Sequence, residues 1–426
     1  MRLILFDVSP KRANFYPLSL SRPIWELRSG ITSLAEKLIA QLKPADVACF
    51  VPDYMAASYR AKTKWKVNDP STLKGDDLLL VNPTVKASEF KVAPTGPSEV
   101  GADAQGEVLY ARIAKADLGK LKADSFQAFL ASAKQALQNT TATLATWNYT
   151  WDLMLANPHQ IVDDFKAIGR SGIEGTIEQP NAIRGDKKNV YIAPGVVIHP
   201  MAVIDAANGP VYLDEGVEVH PFSRIEGPCF VGKKSILLGT KCREGNSIGP
   251  MCRLGGEVEE SVIQGYSNKY HDGFLGHAYV GEWVNLGAMT ANSDLKNDYS
   301  DVGVMLDGRK WIDTHSTKVG SLIGDHTKTS IGALFNTGAV VGAMALVMAT
   351  GKPLPKYIPS FAWFLDGLVN EGSFKDRLYA TAKVAMSRRK CQWTQAEQAM
   401  WDAIYEITAP QRDEAIEKGR KQVLSK

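Results

Sequence analysis

The chain has 426 residues, a hydrophobic content of 45% and a formal net charge of +3. Its length suggests two or three domains with proper cores, and its balanced charge argues against nucleic acid or a membrane surface as the main partner. The five cysteines are scattered without a CxxC pair, which argues against a disulfide framework and against a zinc site built from them. The first apolar run, Leu3 to Phe6, is too short for a signal peptide, and no stretch has the length of a membrane span. We therefore expect a cytoplasmic protein.

Residues 1–165 have the pattern of an α/β domain. Short apolar runs that end in polar or proline-containing turns alternate with segments of helical spacing, which predicts a mostly parallel, Rossmann-like sheet. The predicted strands are Leu3–Phe6, Val47–Val51, Asp77–Val81 and Val108–Ala111, and the predicted helices are Glu26–Leu42 and Ser125–Leu137.

A six-residue period begins near Val190 and continues to Leu346. Aliphatic residues recur every six positions, often followed by glycine or a small residue, as in Ile192-Ala193 and Ile198-His199. This period is typical of a hexapeptide β-helix, in which the aliphatic side chain points into a triangular prism. We expect a linker at 166–189, a left-handed β-helix at 190–350 and a C-terminal helical segment at 351–426 that caps the open end of the solenoid.

The segment from Gly265 to Tyr299 is the richest in groups that can carry chemistry. It contains two histidines, two lysines and several amides within the repeat. His271 is the candidate general base, because imidazole titrates near neutral pH and the adjacent glycines favour an exposed ring. Lys269 and Arg243 are candidates for binding a sugar phosphate by charge and hydrogen bonds.

The run HDGFLGHAYVGEWVNLGA, from His271 to Ala288, resembles a segment of a known enzyme family without a gap. That family is the bifunctional UDP-N-acetylglucosamine pyrophosphorylase/glucosamine-1-phosphate N-acetyltransferase. The start PLSLSRPIWELR, the central WDL and the SNKYHDGFLG core resemble a variant branch of it, a sugar nucleotidyltransferase with a hexapeptide acetyltransferase domain. The likeness covers most of the chain.

The resemblance assigns roles to individual residues. It implies that His271 is the base that deprotonates the attacking amine, that Asn285 is the active-site asparagine and that Arg243 binds phosphate. We add Asn268, Lys269 and Lys296 as substrate-binding candidates. For acyl-CoA the candidates are Ala288 and Thr290.

The chain departs from the family pattern at three places in this region. Phe274 replaces a tyrosine, so a hydroxyl contact to substrate is lost. The local residues Glu257 to Glu260 contain no counterpart of the family's lysine. Met289 follows Ala288 where the family has glycine, and it is bulkier at a place where acetyl-CoA is expected to lie against backbone.

The N-terminal domain lacks the glycine-rich loop that opens the parent family, since LFDVSPKR stands at Leu5–Arg12 and the first glycine is Gly30. In that family, backbone N–H groups of the loop bind the nucleotide phosphates. Here we expect phosphate charge to be met by cationic side chains and Mg²⁺ by a carboxylate. The candidates are Lys11, Arg12, Arg22 and Asn82 for the nucleotide and Asp7 for the metal.

Together these features predict an enzyme of nucleotide-sugar synthesis. Its N-terminal domain would join a sugar 1-phosphate to a nucleoside triphosphate with Mg²⁺, and its β-helix would transfer an acetyl group from acetyl-CoA to a sugar amine. The resemblance implies a homotrimer, because a single prism is too flat to enclose CoA while a cleft between two prisms encloses it. Two alternatives remain open: a single-activity acyltransferase, and a nucleotide-binding β-helix scaffold with a degenerate N-terminal domain.

Overall fold

The computed structural model describes residues 1–370 and 375–424. The N-terminal domain contains one seven-stranded sheet. Its strands are β1 Arg2–Phe6, β2 Asp46–Phe50, β3 Lys66–Val67, β4 Leu78–Val81, β5 Glu99–Ala102, β6 Val108–Ile113 and β7 Gln138–Thr141. Their order in the sheet is β3-β2-β1-β4-β6-β5-β7. The central strand β1 pairs in parallel with β2 and β4, while β6 is antiparallel to β4.

Helices cover this sheet and connect it to the next domain. The first begins with a capping box, in which the Ser33 side chain accepts from the Glu36 N–H and the Glu36 carboxylate accepts from the Ser33 N–H. The helices are α1 Leu34–Leu42, α2 Asp53–Arg60, α3 Phe126–Ala136, α4 Thr150–Leu155 and α5 Asn157–Ile168, and the short 3-10 helices are Pro10–Phe15, Ile24–Glu26, Pro70–Leu73, Ala87–Glu89, Lys115–Lys120 and, later in the chain, Lys187–Asn189.

The second domain is a left-handed parallel β-helix with three faces, which confirms the fold predicted from the six-residue period. We call the faces A, B and C in the order in which each coil visits them. Face A consists of Gly172–Ile173, Val190–Ile192, Val211–Leu213, Cys229–Val231, Asn246–Ile248, Val262–Gly265, Tyr279–Glu282, Leu322–Ile323, Val340–Val341 and Tyr357–Ile358.

Face B carries the shorter strands that follow face A in each coil. Two long strands, Ile236–Cys242 and Arg253–Glu259, bend from face B into face C. The other face B strands are Thr176–Ile177, Val197–Ile198, Glu218–Val219, Asn268–Lys269, Lys328–Thr329, Leu346–Val347 and Trp363–Leu365, the last paired antiparallel with Leu368–Asn370. Face C consists of Ala182–Gly185, Val203–Ala206, Arg224–Glu226, Phe274–Gly276, Ala291–Asn292 and Leu334–Phe335.

The β-helix is longer at both ends than the sequence predicts. Its first coil begins at Gly172, inside the segment 166–189 that we expected to be a linker, and its last strands reach residue 370, inside the segment expected to be helical. The first coil lies partly open to solvent and needs fewer aliphatic residues to fill it, whereas Ile358 and Phe364 of the last coil are buried in the prism core. In the first coil only Ile177 and Ile183 pack partly buried against the prism core, and the period is therefore weak there.

One long excursion interrupts the coils between faces C and A. It runs from residue 293 to residue 321 and contains an antiparallel pair, Gly303–Val304 with Ile312–Asp313. All five cysteines are free. Within the part of the chain that the structure describes, no helix is long and apolar enough to cross a membrane.

The C-terminal helices cover the corner where face A turns into face B. They are α6 Lys375–Ser387, α7 Gln395–Ile407 and α8 Ala409–Leu424. Tyr266 and Trp283 stack at this corner with ring centroids 4.4 Å apart, and Trp401 of α7 lies edge-on to His326 at 5.5 Å. These helices therefore pack against the side of the prism as well as against its end.

Candidate functional site

His271 lies at the corner between faces B and C, on a short loop that follows the strand Asn268–Lys269. Its side chain is exposed, as the sequence predicts for a base that meets substrate. Gly273 in the same loop has φ 124° and approaches the Thr290 carbonyl of the next coil so closely that a Cβ atom would lie 2.1 Å from it. The glycine therefore allows the loop to rest on the coil that follows it.

Lys269 is buried, whereas we expected its side chain to be available to substrate. Its residue is only 2% exposed, and its ammonium donates to the backbone carbonyls of His271 and Gly255. Burial lowers the pKa of Lys269 to about 8. The strand period places this side chain inside the prism, so Lys269 holds the His271 loop in place from beneath.

A row of polar side chains crosses face B next to this loop. Asn268, Asn285 and Lys328 occupy equivalent positions in three successive coils, and Asn268 donates from Nδ2 to Asn285 Oδ1 at 3.1 Å. Arg389, from the end of α6, donates to Asn268 Oδ1 at 3.2 Å. The structure therefore brings the two predicted asparagines together and adds two cationic residues that the sequence analysis missed.

A cavity of about 310 Å³ lies over this row, between face B and α6. Trp283 and Tyr266 form an aromatic wall, and Arg388 and Arg389 contribute positive charge from the turn that follows α6. Arg389 Nε is buried without a hydrogen-bond partner. An aromatic wall, amides and an unpaired guanidinium N–H suit a ligand that carries both a ring and an anionic group.

Lys328 is the most perturbed cation of the row. Burial lowers its pKa to about 7. Its Nζ donates to the carbonyls of Trp283 at 2.6 Å and His326 at 2.9 Å. Lys328 is therefore a buried amine at the wall of the cavity whose hydrogen bonds go to two backbone carbonyls.

Arg243 lies away from this row, on the far side of face C. Its guanidinium donates to Glu259 at 2.6 Å and lies 3.7 Å from Glu257. Partial burial alone would lower the pKa of Arg243, but the neighbouring carboxylates outweigh burial and raise this pKa above its usual value. In a single chain Arg243 and the asparagines occupy different faces, and His271 lies at the corner between those faces.

The acyl-CoA candidates lie at the B–C corner, one coil beyond His271. The Ala288 carbonyl accepts from the Gly332 N–H at 2.8 Å, and the Thr290 hydroxyl is buried against that of Thr329 at 3.0 Å. Both groups therefore already form hydrogen bonds within the prism. Met289 between them has φ 60° and is 60% exposed, so the surface offered at this corner is the methionine side chain. Lys296 lies further on, in the excursion, and is half-buried.

His277, the second histidine of this segment, is a buried structural residue. It is buried at the corner between faces C and A, where Nδ1 lies 2.8 Å from Asp294 and Nε2 lies 3.3 Å from Glu260. Burial opposes its charge, but the hydrogen bonds with Asp294 and Glu260 outweigh burial and raise the pKa of His277 to about 9. This charged triad fastens the start of the excursion to the prism.

The triad predicts a pH dependence of stability. The folded-state pKa of His277 lies above its unfolded value, so its contribution is complete below about pH 6.5 and is lost as pH rises through about 9. We expect a loss of ~3 kcal/mol in the free energy of unfolding over that range. Urea unfolding of the protein and of His277→Asn at several pH values isolates this contribution. Two parallel pH profiles would contradict the assignment.

The N-terminal domain places Lys11 and Asn82 together at the carboxyl ends of β1 and β4. A carboxylate links them: Glu107 lies 2.5 Å from Lys11 Nζ and accepts from Asn82 Nδ2 at 3.2 Å. Asp103 lies 3.0 Å from the same ammonium. The position agrees with our expectation of a ligand at this edge of the sheet, but Lys11 is already neutralised by two acidic residues that sequence reasoning overlooked.

Asp7 does not fit the Mg²⁺ ligand that we expected. Its residue is 1% exposed, and Oδ2 accepts from the Arg12 guanidinium and from the Ile24 N–H. Oδ1 has no hydrogen-bond partner. A single free oxygen beside a buried guanidinium neither supplies the oxygen set that Mg²⁺ requires nor offsets the repulsion between two cations. Arg12 is likewise committed to Asp7 and is buried.

Arg22 lies at the junction of the N-terminal domain and the β-helix. Its guanidinium pairs with Asp325 and lies 3.2 Å from Glu282, both residues of the β-helix. Ser21 also donates to Asp325 at 2.6 Å. Arg22, which we expected to meet nucleotide phosphate, therefore joins the two domains through these ion pairs. The sequence could not reveal this pairing, because the partners are about three hundred residues apart.

Comparison with known proteins agrees with this architecture. Residues 3–171 match the family model described as sugar nucleotidyl transferase. A bifunctional sugar-1-phosphate nucleotidylyltransferase/acetyltransferase of Sulfurisphaera tokodaii is 35% identical over 91 residues, which are 21% of this chain and 22% of that protein. The bifunctional protein GlmU of Rippkaea orientalis is 42% identical over 76 residues, 17% of this chain and 16% of that protein. The chain thus aligns with only about a fifth of the length of these curated relatives.

Among solved structures, a UDP-N-acetylglucosamine acyltransferase aligns with 58% of this chain and 94% of its own length, at 17% identity and a TM-score of 0.27. A likeness of this strength carries no argument about ligands or chemistry.

Proposed function

We propose, from the premise that residues 3–171 are a sugar nucleotidyl transferase domain, that the chain is a transferase of nucleotide-sugar synthesis with two sites. The N-terminal domain would join a sugar 1-phosphate to a nucleoside triphosphate, and the β-helix would transfer an acetyl group from acetyl-CoA to a sugar amine. One observation carries this proposal. The domain at residues 3–171 matches a sugar nucleotidyl transferase model, and it is fused to a β-helix that contains the His271 loop and the cavity over face B.

The acetyl-transfer step uses His271 as the base. The sugar amine enters as the free base, and the His271 imidazole removes a proton from its nitrogen as that nitrogen attacks the thioester carbonyl carbon. The carbon–sulfur bond then breaks, and CoA leaves as a thiol after the imidazolium returns the proton. Asn285 and Arg389 orient the substrates in the cavity over face B, where the unpaired Arg389 Nε supports binding of an anionic group.

A trimer would complete this site. The predicted residues lie on both sides of the B–C corner, with Asn268 and Asn285 on face B and Arg243 beyond it on face C. Two prisms packed side by side would place face B of one copy against face C of another, so that residues from both enclose one substrate. We place the reaction in the cytoplasm, as the sequence leads us to expect.

Asp7 is not assigned to Mg²⁺ in this reaction, because Asp7 and Arg12 already form a closed ion pair. In the N-terminal domain this chain's own residues supply Lys11, Asn82 and Glu107 at the carboxyl edge of the sheet. Lys11 would have to exchange its two carboxylate partners for phosphate oxygens when a nucleotide binds.

The neutralised cations favour a second candidate function, an acyltransferase with a single activity. Lys11, Arg12 and Arg22 are each paired with a carboxylate. Pyrophosphate release separates the two candidates. The full chain is incubated with UTP or dTTP, a panel of sugar 1-phosphates and Mg²⁺. Release of pyrophosphate supports two activities, and acetyl transfer without pyrophosphate release supports one.

Replacing Arg389 by alanine tests the cavity over face B. Because its guanidinium lines the cavity and donates to Asn268 Oδ1, we expect the KM for acetyl-CoA or for the sugar phosphate to rise by about tenfold or more, with a smaller change in kcat. Lys383→Ala is the matched control, since Lys383 lies exposed on α6, just before the turn that carries Arg389, and does not line the cavity. Equal KM values for the two variants would remove this cavity from the site.

A further inference from the structure

A cluster of two histidines and two glutamates lies on the first three coils of the β-helix, well before the coils that carry His271. Glu178, His199 and His220 each follow the face B strand of their coil, and the strands Thr176–Ile177, Val197–Ile198 and Glu218–Val219 pair in register. The three side chains therefore stand one above another on a rigid sheet. Glu218 precedes His220 by two residues, so its side chain lies on the same face.

The distances within the cluster match those around a tetrahedral metal ion. Glu218 Oε1 lies 3.2 Å from His199 Nε2 and 3.1 Å from His220 Nε2. One ligand atom from each of these residues lies within 4.8 Å of the others. Tetrahedral ligands about 2.1 Å from a zinc ion lie roughly 3.4 Å from one another. A small movement of the side chains would therefore place all three around one ion.

The contact between His199 and Glu178 has the geometry of a hydrogen bond that orients a metal-binding histidine. His199 Nδ1 lies 3.0 Å from Glu178 Oε2, so the ring can donate from Nδ1 to a carboxylate and present Nε2 to a metal. Histidine ligands commonly make this second hydrogen bond, which fixes the tautomer and the direction of the ring. The His199, His220 and Glu218 side chains are 29%, 31% and 38% exposed, so an ion can reach them from solvent.

We propose that His199, Glu218 and His220 bind a zinc ion, with Glu178 orienting His199. Two imidazoles and one carboxylate select zinc over magnesium, which prefers oxygen ligands alone. The bound ion would link the first three coils, whose face B strands are only two residues long and whose first coil lies partly open to solvent. Its role is to fasten the start of the β-helix, and it requires neither of the transferase activities proposed above.

The test uses the full chain without an affinity tag of histidines. After dialysis against Zn²⁺ and then against metal-free buffer, we expect one zinc per chain by elemental analysis. Hydrogen exchange in residues 172–206 should slow when zinc is bound. The double variant His199→Asn/His220→Asn should lose both effects and keep the circular dichroism spectrum of the wild type.

A second histidine variant and a second metal ion serve as controls. His315→Asn removes an exposed histidine beside Asp301 and Asp313, another group that offers three ligand atoms, and it should retain the zinc. Mg²⁺ in place of Zn²⁺ should leave hydrogen exchange unchanged. A wild-type protein that retains no zinc, or a double variant that retains as much as the wild type, would overturn the proposal and leave the cluster as a hydrogen-bonded group.

Discussion

Replacing His271 by alanine is expected to reduce acetyl transfer by about 10²–10⁴-fold, the usual contribution of a general base. The side chain is exposed on its loop and supports no buried contact, so the free energy of unfolding should change by less than about 0.5 kcal/mol. The measurement is the rate of CoA thiol release at saturating acetyl-CoA, together with urea unfolding of the variant.

A matched histidine and a second activity serve as controls for this result. His315→Ala removes another exposed histidine, in the excursion, and should leave the rate unchanged. Pyrophosphate release by the N-terminal domain, where present, should be the same in His271→Ala and in the wild type. A His271→Ala variant that retains more than half of the wild-type rate would exclude this residue as the base.

Replacing Arg22 by alanine is expected to destabilise the protein by about 3–5 kcal/mol, because it leaves the buried Asp325 carboxylate without its cation. Burial raises the pKa of Asp325, while Arg22 opposes that rise. Glu282 loses the same partner. Urea unfolding measures the loss, and hydrogen exchange should accelerate in residues 17–28 and 320–328, where the two domains meet.

A surface arginine provides the matched control for Arg22. Arg309 pairs with Glu414, and both side chains are about half exposed, so Arg309→Ala should cost no more than about 1 kcal/mol. In the double variant Arg22→Met/Asp325→Leu the buried charges are removed together, and it should be more stable than Arg22→Ala. If Arg22→Ala costs no more than Arg309→Ala, the interdomain ion pair does not hold the domains together.

The fold could be predicted from the sequence because the β-helix repeats its signal in every coil. Ile192, Ile198 and Ile204 fill equivalent positions of the prism, and all three are buried. The start of the β-helix could not be predicted in the same way. The coil that begins at Gly172 is partly exposed, so the requirement for a buried aliphatic residue at every sixth position is relaxed there.

The candidate site was predictable where its residues belong to one continuous run. His271 is exposed at a corner as expected, and Asn268 and Asn285 meet because they occupy the same position in successive coils. Lys328 continues that row, but the 293–321 excursion separates it from Asn285 and hides the register. Arg389 arrives from a separate helix, and no local pattern in the sequence connects it with face B.

The charges of the N-terminal domain show the other limit of sequence reasoning. Lys11, Arg12 and Arg22 are a plausible phosphate-binding set when only their own segment is considered. Their partners Glu107, Asp7 and Asp325 lie at very different distances along the chain. Whether a cation is free depends on such tertiary neighbours, which composition and spacing do not contain.

The central claim, acetyl transfer on the β-helix, is tested most directly by mass spectrometry of the sugar product. The full chain is incubated with acetyl-CoA and a panel of amino-sugar phosphates and nucleotide-linked amino sugars. We predict that one member of the panel gains one acetyl group with release of an equal amount of CoA, and that His271→Ala abolishes this product. If every amino sugar is recovered unmodified while the same preparation releases pyrophosphate from a nucleoside triphosphate and a sugar 1-phosphate, the β-helix is not an acetyltransferase.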